Sequence, residues 1–383
     1  MINFLSTSIN DNDIKKVKKV LKTNWLGKGK EVEILLNNFA KLHNIESTKL
    51  VDLANCTDGI FASCKLIRSK FGKNKKVIIP SISFPAVGSA LLENELIPLI
   101  VGVSKKNLCI QTDKVNEILK TQSNVVAIFI NNYGGYNPYI EEIAKICKAN
   151  EVFLVEDSAC STYAKFNNKT LGTFGDIGLW SFDSMKLISG GDGGIAFIKN
   201  QSLKKTFREL TYLGLEDKKQ RSGLSSSNLK KNWWEYEIKS YGRRSILNNI
   251  SASLINNQLK RIKTIILERK KIYDIYQKEL SKIPQIIITN PYDQYNQKNF
   301  SSYYFYFAYF QQRNKLAKYL KDNNVYTSFR YWPLCNQKIF KNFSYDNDNI
   351  KFISNNCLNL PIHNNITHNQ QYRIIKLIKK FYY

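Results

Sequence analysis

The segment Leu154–Ile198 reads LVEDSACSTYAKFNNKTLGTFGDIGLWSFDSMKLISGGDGGIAFI, and it decides the predicted fold. It contains apolar runs of strand length, separated by polar and glycine-rich connections. Asp157 ends the first run, and Lys186 follows the second run just before a glycine-rich turn. The pattern therefore predicts a carboxylate at the end of a buried strand and an amine on a bent loop further along the chain.

Strand-like runs upstream of this segment alternate with helical patterns. KVIIP, LIPLIVGV, VVAIFINN and VFLVED are short and almost continuously apolar, which is typical of strands buried on both faces. The run NPYIEEIAKICKANE predicts a helix with Asn137 as its cap and Pro138 in its first position. DNDIKKVKKVLKTN predicts another helix, with Asp13 as its cap. This alternation predicts an α/β fold with a mostly parallel sheet, whose ligands bind beyond the carboxyl ends of the strands.

The second half of the chain follows a different pattern. Residues 247–280 keep helical periodicity, which predicts one long helix or two helices separated by a break. Aromatic strand-like pieces follow, SSYYFYFAYF and VYTSFRYWP, with helical patterns between and after them. We therefore predict a large α/β domain over residues 1–250, and a linking helix with a small α+β domain over residues 251–383. The polar segment 216–232 predicts a surface loop.

The composition limits the class of protein. With 383 residues, 43% of them hydrophobic, the chain can bury a large core. No apolar run is long enough to span a membrane, and the first residues do not resemble a signal peptide. The seven cysteines are scattered without a CxxC pair. We therefore predict no metal site, no disulfide framework and a cytoplasmic location.

The net charge of +26 raises the question of an anionic partner. The lysines are spread along the whole chain, and no nucleic-acid-binding motif accompanies them. We therefore predict neither nucleic acid nor a membrane as a partner. The charge would also favour the approach of an anionic substrate.

Asp157 and Lys186 are the pair of residues that pyridoxal phosphate (PLP) requires. A lysine holds this cofactor as a Schiff base, and an acidic residue keeps its pyridine nitrogen protonated. Lysine suits the role because its amine loses its charge readily when it is desolvated or lies near other cations. Each feature also has an ordinary structural explanation, since strand-end aspartates cap turns, loop lysines are solvated and GGDGG can form a simple hairpin. Their order along one segment favours the cofactor.

The same segment resembles the signature region of the DegT/StrS-type sugar aminotransferases. That family typically has ED-x-A, a G-x-x-GD turn, SF-x-x-x-K and G-[DE]-GG, and these motifs occur here in order. The resemblance extends to NCTDGIFASCKL, which is similar to the family's phosphate-binding turn, and to IIPSISFPAVGSALLENELIPLIVGV and LPIHNNIT. It implies the type I PLP aminotransferase fold: a mostly parallel, seven-stranded-type sheet between helices in the large domain, and a small α+β C-terminal domain.

The resemblance also implies roles for individual residues. Lys186 would form the Schiff base and move the proton between cofactor and substrate carbons, while Asp157 would pair with the pyridinium nitrogen. Phe84 would stack on the cofactor ring. The implied phosphate contacts are the backbone N–H groups of Thr57 and Asp58, at a helix start, and the hydroxyl of Ser181.

Three positions differ from the usual residues of the family. Cys160 stands where a Gln or His supports the ring oxygen of the cofactor, and Cys56 stands where Gly precedes the Thr of the phosphate turn. Arg244, in YGRRSILNN, stands near the position of an Asn that a partner subunit lends to the phosphate. An arginine there could bind the cofactor phosphate or a substrate anion, or it could be a surface residue in a shifted alignment.

The expected activity is PLP-dependent transfer of an amino group, with glutamate as the expected donor. The acceptor would be a keto- or aldehyde-sugar, nucleotide-linked or acidic, used in surface glycan or amino-sugar biosynthesis. The resemblance also implies a homodimer with active sites at the subunit interface. The alternatives are a PLP-dependent sugar dehydratase, in which a histidine replaces the lysine, and a non-catalytic regulator on the same fold. The candidate substrate contacts are Arg243, Arg330, Tyr331 and His363.

Overall fold

A computed structural model of the chain describes residues 1–215, 237–291 and 298–383. The predicted surface loop of residues 216–232 lies outside these ranges. Among the helices that are described, none is both long enough and apolar enough to cross a membrane.

The helices are α1 Asp11–Leu21, α2 Lys30–His43, α3 Cys56–Phe71, α4 Ala86–Glu93, α5 Thr112–Thr121, α6 Ile140–Ala149, α7 Gln201–Thr211, α8 Asn249–Leu259, α9 Ile262–Leu280, α10 Arg313–Asp322, α11 Ile350–Asn356 and α12 His368–Tyr382. The strands are β1 Leu50–Leu53, β2 Lys76–Pro80, β3 Ile97–Val101, β4 Val125–Asn131, β5 Phe153–Asp157, β6 Lys165–Phe166, β7 Lys169–Thr170, β8 Ile177–Ser181, β9 Gly194–Ile198, β10 Ile286–Ile288, β11 Tyr306–Phe310 and β12 Cys357–Leu360.

A large sheet of seven described strands occupies the centre of the fold, in the order β1-β9-β8-β5-β4-β2-β3. Strands β3, β2, β4, β5 and β8 pair in parallel, whereas β9 runs antiparallel to both β8 and β1. Every residue of β1, β8 and β9 is buried. The apolar runs of the sequence indicated β8 and β9, whereas β1, which contains Asp52, was not predicted. The predicted α/β fold with a mostly parallel sheet is confirmed.

The carboxyl ends of the parallel strands bring polar residues to one edge of this sheet. Asn131 ends β4 and Asp157 ends β5, and the two residues are partners in the parallel register. Ser181 ends the neighbouring strand β8. The start of α3 lies at the same edge because the first residue of β9, Gly194, packs directly against the backbone of Cys56.

A second, antiparallel sheet has the order β10-β11-β12. The run VYTSFRYWP does not belong to it as a strand, so that prediction was wrong. Among the described residues it forms only single bridges, at Val325 and Ser328. The Asn359 side chain explains this, because its Oδ1 atom accepts a hydrogen bond from Arg330 N at 2.7 Å, where a ladder partner would otherwise be needed. The domain boundary at residue 250 stays a prediction.

Two predicted helix caps were also wrong. Asn10, not Asp13, caps α1: its Oδ1 accepts from Asp13 N, and the Asp13 carboxylate accepts from Asn10 N in return. Helix α6 begins at Ile140, because the Asn137 side chain instead accepts from Tyr139 N in a turn that precedes the helix. The predicted break in the long helical region is confirmed, since α8 and α9 are separate helices.

Candidate active site

A cavity of about 510 Å³ opens at the carboxyl edge of the large sheet. It is walled by the start of α3, the ends of β4, β5 and β8, the loop after β8, and residues that flank the small sheet. The predicted site residues that line this cavity are Thr57, Asp58, Phe84, Asp157, Cys160, Ser181, Lys186, Arg330 and Tyr331. Residues separated by more than 270 positions in sequence therefore face one space.

Lys186 lies in a tight turn after β8. Its N–H donates to Asp183 O at 3.0 Å, and the Asp183 carboxylate accepts from Met185 N at 2.9 Å. Gly191 and Gly193 have φ values of +81° and +144°, which let the loop double back into β9 where other residues would be strained. The turn thereby holds Lys186 at the cavity, and the bend that follows it explains why glycines come next in the sequence.

The Lys186 amine lies beside a thiol and an aromatic ring. Its Nζ atom lies 4.0 Å from Cys160 Sγ and 5.3 Å from the centre of the Tyr304 ring. Burial disfavours its charge, and among the neighbouring groups that favour it only the Asp157 carboxylate can be charged near pH 7, because Cys160 and the tyrosines are neutral there. The net result raises the pKa of Lys186 well above its ordinary value. In the chain alone, the amine is therefore held as a cation.

Asp157 lies at the end of β5, with its Oδ1 atom accepting from Ala159 N at 3.0 Å. Burial raises the pKa of this carboxyl, while the Ala159 N–H and the Lys186 charge act in the opposite direction. A positively charged ring nitrogen placed against it would favour the ionised carboxylate further. Asp157 can therefore keep the ring nitrogen of a bound heterocycle protonated.

Cys160 is buried beside these two groups, and burial raises the pKa of its thiol to about 11. The thiol is therefore neutral near pH 7. Its backbone carbonyl accepts from Ser302 Oγ at 2.6 Å, which ties this turn to the segment before β11. At the position where the family has Gln or His, this chain offers only a weak hydrogen-bond donor.

The start of α3 has the form of an anion site. Asn55 caps the helix, and its Oδ1 atom accepts from Asp58 N at 2.8 Å. Over the described ranges, the Thr57 N–H has no hydrogen-bond partner, so it can donate to a phosphate at the positive end of the helix dipole. The Asp58 N–H predicted for the same task is taken up by Asn55. Ser181, at the end of β8, is buried at the cavity wall.

A buried carboxylate supports this helix start from behind. Asp52, on β1, accepts from Arg208 Nη2 at 2.9 Å, from Lys28 Nζ at 2.8 Å and from Leu247 N at 3.2 Å. Both Asp52 and Arg208 are almost inaccessible to solvent. The carboxylate thereby joins three distant parts of the chain just before the residues that begin α3.

Three carboxylates, those of Asp58, Asp183 and Asp192, also line the cavity. Burial, followed by the nearby Asp183 and Asp58 charges, raises the pKa of Asp192. Of the described residues that line the cavity, only Lys186 and Arg330 are cationic. The phosphate end therefore has helix-end N–H groups but an excess of acidic side chains.

The two adjacent arginines lie outside the cavity. Arg243 pairs with Asp58 at 3.4 Å and with Glu93 at 2.9 Å, so it faces the outer side of α3. Arg244 is exposed and forms a single bridge with Tyr212. In the described part of the chain, no carboxylate lies within ion-pair distance of Arg244. Neither arginine contacts the predicted phosphate position of its own chain.

His363 is buried away from the cavity. Its Nε2 atom lies 3.0 Å from Asn3 O, which links the first residues of the chain to the segment after β12. Burial lowers the pKa of this imidazole to about 4, so it is neutral at pH 7. His363 is not among the residues that line the cavity, and its role as a substrate contact stays a prediction.

Sequence reasoning missed two residues of the site. Tyr304 faces Lys186, and its hydroxyl donates to Met185 O at 3.0 Å, which fixes the lysine loop against the small sheet. It lies in SSYYFYFAYF, where the aromatic run indicated only a strand. Asn55 could have been identified, because an asparagine before CTDG is a helix-cap signal.

The residues of the cavity fit PLP. A lysine amine, a carboxylate for a ring nitrogen and a helix start with an unpaired N–H face one space, and the exposed ring of Phe84 lies at its edge. Phe84 contacts Tyr331 edge to face, with ring centres 5.6 Å apart, so its ring position is supported. This set of donors and acceptors matches the aldehyde, ring nitrogen and phosphate of the cofactor.

Known proteins that resemble this chain include aminotransferases. A 4-aminotransferase of dTDP-4-dehydro-2,3,6-trideoxy-D-glucose from Saccharopolyspora spinosa is 29% identical, over 89% of this chain and 86% of its own length. GDP-perosamine synthase of Escherichia coli O157:H7 is 22% identical, over 98% of this chain and 97% of its own length. The solved aminotransferase TlmJ from Streptoalloteichus hindustanus is 29% identical and superimposes with a TM-score of 0.89, covering 99% of this chain and 98% of its own.

A more distant structure tests the fold alone. Helicobacter pylori PseC, an aminotransferase, is 19% identical, yet it superimposes with a TM-score of 0.88 over 100% of this chain and 99% of its own. The predicted type I aminotransferase fold is confirmed by these structures. Residues 7–379 match the sequence pattern of the DegT/DnrJ/EryC1/StrS aminotransferases, and the chain therefore belongs to that family of PLP-dependent enzymes.

Proposed function

We propose that this chain transfers an amino group from an amino acid to a keto- or aldehyde-sugar carried by a nucleoside diphosphate. The observation that carries the proposal is the shared cavity of Lys186, Asp157 and the α3 start. The names of two relatives, which refer to dTDP- and GDP-linked sugars, favour a nucleotide-linked acceptor over a free acidic sugar. Glutamate stays the predicted donor, and surface glycan or amino-sugar biosynthesis the predicted pathway.

Each residue has a definite task in this proposal. When bound, PLP supplies the electron sink for the charge left after a proton leaves the carbon next to nitrogen. Lys186 holds the aldehyde carbon through its amine and, once the donor amine replaces it, moves the proton at the reacting carbon. Asp157 holds the proton of the ring nitrogen. The Thr57 N–H and the Ser181 hydroxyl bind the phosphate, and Phe84 covers the ring.

Lys186 must be neutral when it accepts a proton. In the chain alone its pKa is raised, in part by the Asp157 carboxylate. A protonated ring nitrogen beside Asp157 would offset that negative charge and so lower the pKa of Lys186. Loading the site therefore shifts this amine toward the form that can act as a base.

Arg244 supplies the missing positive charge if the protein is a homodimer. A phosphate dianion beside Asp58, Asp183 and Asp192 needs more than helix-end N–H groups. Arg244 is exposed and, in the described ranges, without a carboxylate partner, so it is available to the phosphate of a second copy. Replacing Arg244 with Asn should weaken PLP affinity about tenfold while the dimer mass persists. Unchanged affinity for PLP and for the sugar would contradict this role.

The domain division and the cellular location belong to the same proposal. All described strands of the large sheet lie before residue 250, and the described strands of the small sheet lie after it, which supports the predicted boundary. The cytoplasmic location stays a prediction that rests on the scattered cysteines of the sequence. Limited proteolysis that cuts near residue 250 and releases a stable fragment would support the predicted domain boundary.

The first test is the visible spectrum of the purified protein titrated with PLP. We expect an absorption band for lysine-bound PLP that Lys186→Ala lacks, followed by its loss when glutamate is added. A dTDP-linked 4-keto sugar should then restore the band and yield an amino sugar detectable by mass spectrometry. A band that no amino donor changes would favour a dehydratase or a regulator. Absence of any band would exclude the PLP site.

A further inference from the structure

Helix α1 carries a dense group of positive charges on one side of the protein. Five lysines of α1 and of the residue that follows it line a cleft of about 730 Å³: Lys15, Lys16, Lys18, Lys19 and Lys22. Lys260 and Arg261, at the end of α8, add two cations from the opposite wall. Of the described residues that line this basic cleft, none is acidic and none is aromatic. Lysines that are scattered along the sequence are therefore concentrated here around one space.

Most of the charges in the basic cleft are unpaired. Lys16 pairs with Glu31 at 2.7 Å, and Arg261 pairs with Asp13 at 2.6 Å. For the other five cations, all of them exposed lysines, no carboxylate of residues 1–215, 237–291 or 298–383 lies within ion-pair distance. The cleft therefore holds a surplus of positive charge that the described part of the chain does not neutralise.

The spacing of these lysines makes them repel one another. Lys15 and Lys19 are four positions apart, as are Lys18 and Lys22, so each pair lies on one face of the helix. Like charges at this spacing destabilise a helix. An anion bound between them would remove the repulsion, and helix α1 would gain stability from the bound form.

A buried carboxylate holds the two walls of the basic cleft together. Asp13 Oδ1 accepts from Asn257 Nδ2 at 2.8 Å, and Asp13 Oδ2 accepts from Arg261 Nη2 at 2.6 Å and from Asn10 N at 2.9 Å. These bonds join α1 to the end of α8. Asp13 has no exposed surface, so it fixes the walls without presenting its charge to an incoming anion.

We propose that the basic cleft binds a compact polyphosphate anion. The cleft shares no lining residue with the active-site cavity, so this is a second site and does not depend on the aminotransferase reaction. Its volume lies in the range of small-molecule sites, which suits a compact anion better than an extended surface. Lysine ammonium groups bind phosphate as point charges, and several of them favour a ligand with several phosphates. Because the described lining has no aromatic ring, a nucleobase would find nothing to stack on.

The test measures binding of inorganic tripolyphosphate to the PLP-loaded protein by calorimetry, in a buffer without divalent cations. Two variants lose the same number of charges. The α1 variant combines Lys15→Gln, Lys19→Gln and Lys22→Gln. The α10 variant is the matched control, because its three lysines are also exposed, lie on one helix and do not line the cleft; it combines Lys315→Gln, Lys318→Gln and Lys321→Gln.

We expect the α1 variant to bind tripolyphosphate on the order of 30-fold more weakly than wild type, since each exposed ion pair contributes a factor of about two to five. The α10 variant should bind within about threefold of wild type, because distant exposed charges are screened. Tripolyphosphate should raise the Tm of wild type and of the α10 variant more than that of the α1 variant. Without ligand, the α1 variant should be at least as stable as wild type, because its lysines no longer repel one another.

Four outcomes would overturn the inference. Absence of tripolyphosphate binding to wild type at low ionic strength would exclude the site. Equal weakening in the two variants would assign binding to the total charge of the protein. Undiminished affinity in the α1 variant would place the anion elsewhere, in the active-site cavity above all. Tighter binding of dTDP or of duplex DNA than of tripolyphosphate, lost in the α1 variant, would mean that the cleft recognises a nucleoside or an extended polymer instead.

Discussion

Replacing Gly194 with alanine should weaken PLP binding through the helix start that we propose for the phosphate. A Cβ atom at this position would lie 2.9 Å from Cys56 N and 3.0 Å from the carbonyl carbon of Asn55. These are backbone atoms, so the start of α3 or strand β9 must move. Overpacking of this kind costs about 1–3 kcal/mol. If the loaded form needs the original position, the PLP dissociation constant rises roughly 5- to 150-fold.

The assay is an absorbance titration with PLP, combined with urea unfolding of the cofactor-free protein. Gly27→Ala is the matched control, because a Cβ atom there meets nothing within 4 Å. A Gly194→Ala protein that is less stable but binds PLP with wild-type affinity would refute the assignment of the phosphate to the α3 start. Wild-type stability as well as wild-type affinity would refute the packing argument itself.

Three further perturbations test other parts of the site and its support. Arg208→Met breaks the buried pair with Asp52, whose carboxylate keeps its contacts with Lys28 and Leu247 N, and should cost about 1–3 kcal/mol of unfolding free energy, measured in urea; a loss below about 0.5 kcal/mol would contradict it. Burial raises the pKa of Asp157, so the folded protein keeps this proton to a higher pH than the unfolded chain does. The free energy of unfolding therefore falls as the pH rises from the ordinary carboxyl pKa to the raised pKa of Asp157. Asp157→Asn should therefore raise the Tm of the cofactor-free protein at pH 7 while abolishing stable PLP binding; an unchanged or lower Tm argues against this. Burial lowers the pKa of His43 from 6.5 to about 4, so the unfolded state gains a proton first and stability should fall as pH drops through this range. His43→Gln should flatten that dependence, and an identical slope in both proteins would count against it.

Six of the seven described strands of the large sheet could be predicted because burial on both faces leaves a simple sequence pattern, whereas β1, whose apolar run is interrupted by Asp52, was missed. The strand VFLVED places Asp157 at its end, and the glycines after Lys186 indicate a bend, so both residues were found before the structure. Helix starts were less predictable, since neighbouring polar residues compete for the same role. At α1, Asn10 and Asp13 cap each other reciprocally, and the sequence alone does not say which one lies outside the helix.

The remaining differences come from contacts between distant segments. VYTSFRYWP has the composition of a strand, but the Asn359 side chain replaces the partner that a strand would need at Arg330. Tyr304 faces the lysine only because the small sheet packs against the loop after β8. His363 looked like a site residue from its motif, yet its hydrogen bond goes to the first residues of the chain. None of these pairings leaves a local signal.

The contacts of Asp52 also constrain the order in which the protein can mature. The partners of this carboxylate lie at residues 28, 208 and 247, so the last of them leaves the ribosome long after β1 itself. Contacts so remote in sequence form late, because the intervening loop must first close. The helix start in front of Asp52 therefore lacks its full support in a nascent chain that stops short of Leu247. Competence to bind cofactor should consequently appear abruptly during synthesis, once that residue is free to fold back.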